Sequence, residues 1–323
     1  MLRKAITQVA SAVAKKDVVP LLTHYYFARK EIIASDGRIT ACAPCDALNG
    51  IECLVSADQV NALMLRLVDP IDIKQADNVL TMSSGRYRGR VETLSEEDYH
   101  FTKPEGEQIP LSEAFFDALK ILRKFVSEDA THMWSVCVAL RGKYMMASNN
   151  KSLAVMQHKM DYTGEECLIP VWAIDFILER TEGLTDFSVG GGAMSFYWTD
   201  GSWMRAQLVA GTFPSIAEKM LKEFKKPDFE LTAEWRESFE YVSAFGADRI
   251  EFHAEQMLGK NQLTTADAEA ETPVPEDKEC SIWNPKVLAP VIECATHWSP
   301  ALWPNPCYFS APGLRGIVTG LSH

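Results

Sequence analysis

The segment Ile32-Ile33-Ala34-Ser35-Asp36-Gly37-Arg38-Ile39-Thr40-Ala41 has a second copy later in the chain, Met145-Met146-Ala147-Ser148-Asn149-Asn150-Lys151-Ser152-Leu153-Ala154. Each copy has an apolar pair, Ala-Ser, a few polar residues and a returning apolar stretch. This pattern predicts a β-hairpin whose strands flank a polar turn. A weaker third copy is Leu263–Ala270. Ala147 follows Ala34 by 113 positions, so a chain of 323 residues has room for three such units.

An amphipathic helix follows each predicted hairpin. The three helices begin near Ala57, Val171 and Pro285, at intervals of 114 positions. In the third, Asn284 suits the N-cap and Pro285 the first helical position. Pro290 lies inside that helix and is expected to end or bend it early.

Two more strands, separated by turn residues, complete each third of the chain, and a further helix opens it. The strand pairs are 79–82 with 89–94, 194–198 with 203–209, and 307–309 with 316–321. The opening helices are Leu2–Ala14, Ser112–Val126 and Thr232–Phe245. Polar segments at 95–110 and 219–229 separate the thirds. The alternative, three unrelated α+β segments with a similar rhythm, is disfavoured because two independent elements recur at nearly one period.

These patterns predict an α+β fold of three repeated domains, each with two helices packed on antiparallel sheets. The predicted domains are 1–105, 106–222 and 223–323. A hydrophobic fraction of 47% and a charged fraction of 24% are typical of globular proteins. The sequence has no apolar run of membrane-spanning length and no secretory signal at its N-terminus, so we expect a cytoplasmic protein. The eight cysteines are then expected to be free thiols.

The sequence shows no catalytic or metal-binding pattern. Cys42, Cys45 and Cys53 lack a second Cys/His pair at zinc-finger spacing, and the histidines, His132 and His253 among them, show no metal-ligand spacing. Gly190–Gly192 lacks the lysine of a phosphate loop and is interpreted as a hairpin turn. We therefore expect no enzymatic activity, no catalytic residues, no cofactor and no metal.

Four segments together resemble the bacterial-type DNA polymerase sliding clamp, the β subunit of DNA polymerase III. They are Val19-Pro20-Leu21-Leu22, Ala34-Ser35-Asp36-Gly37, Ser83–Arg88 running into Thr93-Leu94, and Gly211-Thr212-Phe213-Pro214-Ser215-Ile216. The last is similar to the Gly-x-Phe-Pro-Asp-Tyr that closes the family's second domain. The resemblance covers essentially the whole chain at a low level of residue similarity.

The sequence also departs from the family. Asn149-Asn150-Lys151-Ser152 stands where the family has Asp-Gly-His-Arg, and Thr319–His323 replaces its Met-Pro-x-Arg-Leu tail. These changes indicate a divergent clamp, of the kind that a phage or plasmid would encode. The resemblance implies a DNA-replication processivity factor: a head-to-tail homodimer that forms a closed ring around duplex DNA, with sheets outside and helices lining the hole.

A net charge of −12 disfavours simple electrostatic wrapping of DNA, so the placement of the cations matters more than their sum. On the predicted helices, cations lie opposite the core face, where a ring would bring them to phosphates. The candidate DNA-binding residues are Arg3, Lys4, Lys15, Lys16, Arg66, Lys120, Arg123, Lys124, Arg180 and Lys286. The opening helix of the third domain fits poorly, because it carries three glutamates beside Arg236. The alternative interpretation is that these cations lie on ordinary solvated helix faces without a role in binding.

Two protein interfaces are expected in addition. Opposite charges on the edges of the first and third domains would set the register of the dimer. The basic edge carries Arg86, Arg88 and Arg90, and the acidic edge carries Glu276, Asp277 and Glu279. The family resemblance implies a pocket for a short peptide of the polymerase or clamp loader, formed by Ser148, Asn150, Lys151, Ser152, Leu153, Leu221, Ile317, Val318 and Thr319. The alternative function is a non-DNA interaction scaffold of repeated α+β domains, and a small-molecule enzyme ranks third.

Overall fold

The computed structural model describes residues 2–16, 19–95, 97, 99–253, 255–261, 267–272 and 280–321. The chain forms two compact units, Met1–Leu111 with Asp175–Leu208, and Ser112–Ile174 with Val209–His323. The middle third of the sequence thus contributes to both units, and the three domain ranges stay a prediction. The α+β class is confirmed. None of the helices described is long and apolar enough to cross a membrane.

The first unit contains one antiparallel sheet of 11 strands. Their order is β5-β6-β7-β4-β1-β2-β3-β15-β14-β13-β8. The strands are β1 (His24–Arg29), β2 (Glu31–Ser35), β3 (Ile39–Pro44), β4 (Ile51–Ser56), β5 (Asp72–Ala76), β6 (Val79–Ser84), β7 (Tyr87–Leu94), β8 (Ile109–Pro110), β13 (Leu184–Gly190), β14 (Ala193–Trp198) and β15 (Trp203–Gln207).

The second unit contains two antiparallel sheets. The larger has the order β12-β9-β10-β11-β23-β22-β21-β16, and the smaller has the order β19-β18-β17-β20. The strands are β9 (Cys137–Arg141), β10 (Tyr144–Ser148), β11 (Ser152–Gln157), β12 (Cys167–Pro170), β16 (Phe229–Glu230), β17 (Arg249–His253), β18 (Gln256–Lys260), β19 (Asp267–Glu271), β20 (Ser281–Trp283), β21 (His297–Trp298), β22 (Cys307–Ala311) and β23 (Leu314–Val318).

Within the described residues, six helices form where the sequence predicts them, and a seventh, Ile216–Glu223, extends into the segment 219–229 that the sequence predicts to be a linker. They are α1 (Leu2–Val9), α2 (Ala57–Met64), α3 (Glu113–Leu122), α4 (Val171–Glu179), α5 (Ile216–Glu223), α6 (Ala233–Ala244) and α7 (Pro285–Cys294). Side chains of Ser56, Ser112, Thr232 and Asn284 accept hydrogen bonds from backbone N–H groups in the first turns, which satisfies donors that a helix leaves open. These caps explain why the helices begin where they do.

Pro290 does not end its helix, although an early end was one of the two outcomes expected from the sequence. Helix α7 continues through it to Cys294. The missing N–H of Pro290 would have donated to the carbonyl of Lys286, and Lys286 is exposed, so water can satisfy that oxygen. The buried side chains Leu288, Val291 and Ile292 lie on both sides of the proline and hold the helix to the core.

The repeated hairpin turns close by the same chemistry. In the first copy, Ser35 donates to the carbonyl of Ile39 at 2.9 Å, and the Asp36 carboxylate accepts from the Ile39 N–H at 2.7 Å. In the second copy, Ser148 donates to the carbonyl of Ser152 at 2.7 Å. Asn149 replaces Asp36 and accepts from the Ser152 N–H at 2.7 Å. The Ala-Ser-Asp/Asn motif therefore determines the turn.

The same strand order occurs three times. The quartets β4-β1-β2-β3, β12-β9-β10-β11 and β20-β17-β18-β19 each end on the returning strand of the repeated hairpin. That strand continues into another quartet in two of the three: β3 pairs with β15, and β11 pairs with β23. Strand β19 stands at the edge of its sheet within the described structure. It is the return strand of the weak third copy, whose residues 263–266 lie outside the described residues.

Candidate nucleic-acid and protein interfaces

Lys4 of α1 and Arg180, which directly follows α4 and so is not on the helix itself as expected, meet around one carboxylate, that of Asp200 in the turn between β14 and β15. Lys4 Nζ lies 3.2 Å from its Oδ2, and Arg180 donates to both of its oxygens at 2.9 and 3.0 Å. Gln8 also donates to it at 2.9 Å. The Arg180 guanidinium lies 4.7 Å from the Trp198 ring centroid. The structure thus commits Arg180, and partly Lys4, to contacts inside this unit.

The electrostatics of this cluster follow from burial and hydrogen bonding. Burial raises the pKa of Asp200, but donation from Ser202, Gln8 and Lys4 outweighs it and holds that pKa well below its ordinary value. Burial also lowers the pKa of Arg180, and the Asp200 carboxylate partly offsets this. The carboxylate is therefore ionised at neutral pH, where it cancels part of the positive charge of α1 and α4.

The remaining candidate cations of the first unit lie near the ends of helices. Lys15, Lys16 and Arg66 are exposed, and no ion-pair partner for them lies among the residues that the structure describes. Arg66 follows α2, which ends at Met64, so it is not on the helix face as expected. Arg3 is exposed but donates to the carbonyl of Leu67. Lys15, Lys16 and Arg66 are the residues best placed here for phosphate contact.

In the second unit, the candidate cations belong to α3 and α7. Lys120 is exposed on α3, and Lys286 is exposed in the first turn of α7. Lys124 pairs with Glu293, which joins the end of α3 to the end of α7. Arg123 is half-buried and is engaged by contacts of its own. The available positive charge here comes mainly from Lys120 and Lys286.

Helix α6 differs from α1 and α3 in the charge of its exposed face. Glu234, Glu237 and Glu240 are exposed, and Arg236 is turned away to donate to the carbonyl of Ala295. The helix ends in Tyr241 and Phe245, 52% and 51% exposed, whose rings contact each other at 5.5 Å between centroids. The corresponding ring at the end of α3, Phe125, is buried and stacks on Phe309. The end of α6 therefore presents an apolar surface that the second unit does not cover.

The candidate peptide-pocket residues of the polar turn have structural roles. Ser148 and Ser152 are buried and close the turn, while Leu153 and Val318 are core residues, 3% and 0% exposed. Thr319 donates both its N–H and its hydroxyl to the carbonyl of Lys151, which joins the chain end to this turn. Asn150 and Lys151 are exposed.

Helix α5 contributes to two cavities of the second unit. One, of about 470 Å³, is lined by Leu221, Phe224, Tyr144, Val155, Arg315 and Lys226 among others. The other, of about 350 Å³, is lined by Ile216, Lys219, Met220, Leu302, Tyr308 and Ile317 among others. Leu221 and Ile317, expected to belong to one pocket, therefore line different cavities. Both cavities have the apolar walls and polar rim of a site for one large side chain.

The Gly211–Ile216 motif positions α5 through a half-buried arginine. Arg141, at the end of β9, contacts Glu166 and Glu218 and donates to the carbonyl of Phe213 at 2.7 Å. Glu166 in turn accepts the N–H of Phe213. The motif is recognisable in the sequence, but these partners are not, because they lie between 47 and 77 positions apart in the chain.

The two candidate edges are only partly described. Arg88 and Arg90 are exposed on β7, and Arg86 precedes it in the β6–β7 turn. Glu276, Asp277 and Glu279 lie outside the described residues. A further set of acidic side chains, which sequence analysis missed, lies on β19: Asp267, Glu269 and Glu271 alternate with the more buried Ala268 and Ala270. Alternation of charge along a predicted strand was the signal for it.

No protein-family model and no curated protein sequence matches this chain. Solved structures do match over its full length. The DNA polymerase sliding clamp from Bacillus subtilis has a TM-score of 0.81 at 13% identity, covering 100% of this chain and 97% of that one. The clamp from Caulobacter crescentus has a TM-score of 0.80 at 16% identity, covering 100% of this chain and 97% of that one. The Helicobacter pylori β clamp, solved bound to a DNA ligase peptide, has a TM-score of 0.78 at 15% identity, covering 99% of this chain and 98% of that one. The chain therefore has the fold of the bacterial DNA polymerase sliding clamps.

Proposed function

We propose that this protein is a DNA sliding clamp, a processivity factor that encircles duplex DNA and tethers the replicative polymerase. The full-length agreement with clamp structures carries the proposal. The exposed cations Lys15, Lys16, Arg66, Lys120 and Lys286 support it, because phosphate contacts without base contacts suit a protein that slides. The function needs neither a catalytic site nor a cofactor. We also propose the cytoplasm as its location, which fits eight cysteines that are all free thiols.

Retention on DNA tests topological binding directly. A clamp placed on closed circular DNA by a clamp loader should stay bound in moderate salt, and cutting the circle once should release it. On linear duplex the affinity should be weak and strongly salt-dependent, because few phosphates are neutralised. Gel filtration of the DNA before and after cutting measures this. Equal retention on circular and linear DNA would refute the proposal.

We propose further that two copies close a ring head to tail through β7 and β19. In this chain the return strands β3 and β11 each pair with the last strand of another strand pair, β15 and β23. Strand β7 is the corresponding last strand of the first repeat, and among the described residues its segment 87–92 pairs on one side only, with β6. Pairing of β7 with β19 of a second copy would satisfy both edges. Arg88 and Arg90 would then meet Asp267, Glu269 and Glu271.

The proposed partner site is the surface on both sides of α5. Leu221 and Phe224 form the apolar part of the larger cavity, with Arg315 and Lys226 at its rim. None of its lining residues is acidic, and the Arg315 guanidinium lies 5.6 Å from the Phe224 ring centroid. A peptide with one large apolar anchor and a neighbouring carboxylate fits this chemistry, and such anchors usually dominate an interface of this kind.

Leu221→Asp tests the partner site. Leu221 is half-buried at the surface, so the change should leave the fold intact while removing the apolar wall. We expect labelled C-terminal peptides of candidate polymerases to lose at least about tenfold in affinity, the loss typical of a contributing anchor. Fluorescence anisotropy measures this, and sedimentation checks that the dimer persists. Ile216→Asp is the matched variant in the smaller cavity. Loss in Ile216→Asp alone would place the peptide there instead.

A further inference from the structure

Three potential metal ligands converge on the exposed side of the smaller sheet. Strands β17 and β20 pair with Phe252 opposite Ser281, so that His253 and Cys280 are cross-strand neighbours. The Cys280 Sγ lies 3.9 Å from Nε2 of His253, and Glu251 Oε2 lies 3.6 Å from the same nitrogen. One donor atom from each of the three residues lies within 4.8 Å of the others.

These separations suit a tetrahedral metal centre. With bonds of about 2.0–2.3 Å to nitrogen, oxygen and sulfur, neighbouring ligands of zinc are roughly 3.3–3.7 Å apart. Both measured separations lie within a few tenths of an ångström of that range. The third pair, Cys280 Sγ and the Glu251 carboxylate, lies within 4.8 Å, so the side chains must draw together to place all three donors on one ion.

A catalytic Cys-His-Glu triad would need a different arrangement. There the thiol contacts one imidazole nitrogen and the carboxylate contacts the other, which orients the ring. Here both groups approach Nε2. Burial raises the pKa of the Cys280 thiol, and the negative charge of Glu251 raises it further. A raised pKa disfavours a reactive thiolate in the absence of metal.

Two cations compete for the same carboxylate. Lys260 Nζ lies 2.6 Å from Oε2 of Glu251, and Arg249 lies 3.0 Å from Oε1. Glu251 is only 6% exposed and needs such compensation. A metal on Oε2 would leave the Arg249 contact in place and displace Lys260, whose side chain is 38% exposed and can turn to solvent. The site is therefore an ion-pair cluster in which a divalent ion can replace Lys260 as the partner of Glu251.

We propose that Glu251, His253 and Cys280 bind one zinc ion, with water in the fourth position. Zinc accepts thiolate, imidazole and carboxylate ligands together, whereas magnesium and calcium prefer oxygen alone. On binding, the Cys280 thiol releases its proton to solvent. The ion ties β17 to the start of β20. This inference does not depend on the proposed clamp function.

Titration of the reduced full-length protein with Zn²⁺ and with Co²⁺ tests the site. We expect one ion per chain by calorimetry and a thiolate-to-cobalt charge-transfer band in the ultraviolet. Cys280→Ser and His253→Gln should each weaken binding by more than the about 10–100-fold that follows loss of an outer-shell partner. Cys294→Ser is the control, because Cys294 is also half-buried but lies outside the cluster. Lys260→Met should tighten binding, because it removes the competing cation.

The pattern across the variants decides the outcome. Equal affinity in Cys280→Ser and Cys294→Ser, or no charge-transfer band with Co²⁺, would overturn the proposal. Unchanged or weaker binding in Lys260→Met would overturn the role of Glu251. Far-ultraviolet circular dichroism checks each fold, and His253→Gln carries the test if Cys280→Ser does not fold.

Discussion

Asp200 shows how one carboxylate can bind cations that the sequence assigns to another partner. Sequence analysis assigned Lys4 and Arg180 to DNA, because they lie on polar faces of helices. The structure gives both to a single carboxylate, in a turn that was recognised only as a hairpin signal. Residues 4, 180 and 200 are far apart in sequence, and no local pattern joins them. A residue's helix face can be predicted from spacing, but its partner cannot.

We predict that Asp200→Asn destabilises the first unit by about 1.5–3 kcal/mol, the range for hydrogen bonds to a charged group. The change leaves the Arg180 guanidinium, only 20% exposed, without its counter-charge. Urea unfolding measures the loss. Arg38→Ala, which breaks the exposed pair with Asp36, is the control and should cost less than about 1 kcal/mol. Equal effects of the two changes would contradict the central role of Asp200.

The same carboxylate predicts a pH dependence. Because the pKa of Asp200 is lowered in the folded state, its stabilisation is complete above the ordinary aspartate pKa of about 3.9 and is lost as pH falls through the lower folded value. The stability difference between wild type and Asp200→Asn should therefore be constant near neutral pH and should shrink only below about pH 4. A difference that already declines near pH 6 would point to another group.

At the level of elements, local chemistry determined most of what the sequence could predict. The Ala-Ser-Asp/Asn turns and the Asn284 cap, which the sequence predicts, are in place, and Ser56, Ser112 and Thr232 cap three further helices by the same local chemistry. Edges are different, because whether a strand is free depends on what the rest of the chain pairs with it. That is why sequence analysis missed the acidic row of β19, while the edge at 276–279 lies outside the described residues and stays a prediction.

Charge exchange between β7 and β19 tests the proposed dimer. Arg88→Glu with Arg90→Glu should shift the protein to monomer at low concentration, because like charges then face Asp267, Glu269 and Glu271 across the joint. Adding Glu269→Arg and Glu271→Arg to the same chain should restore the dimer. Analytical ultracentrifugation measures both. A sedimentation coefficient unchanged by the first pair of substitutions would refute the joint.

The whole molecule is acidic, and its positive charge is unevenly placed among the repeats. Exposed cations follow α1 and α2 and lie on α3, whereas α6 presents Glu234, Glu237 and Glu240. If all three opening helices face DNA in a ring, α6 repels the duplex while the others attract it. Weak net attraction suits a protein held on DNA by closure, because strong phosphate contacts would slow sliding.

This unevenness yields a quantitative prediction for linear duplex. Glu237→Lys with Glu240→Lys turns the exposed face of α6 basic and should strengthen binding. If both lysines reach phosphates, the slope of log K against log salt should steepen by about 1.8, at about 0.9 for each phosphate neutralised. Anisotropy titrations over a range of salt measure it. Asp161→Lys with Glu165→Lys makes the same charge change in an exposed loop and should leave the slope nearly unaltered. Equal slopes for the two double variants would mean that α6 does not face the DNA, and that net charge alone governs the attraction.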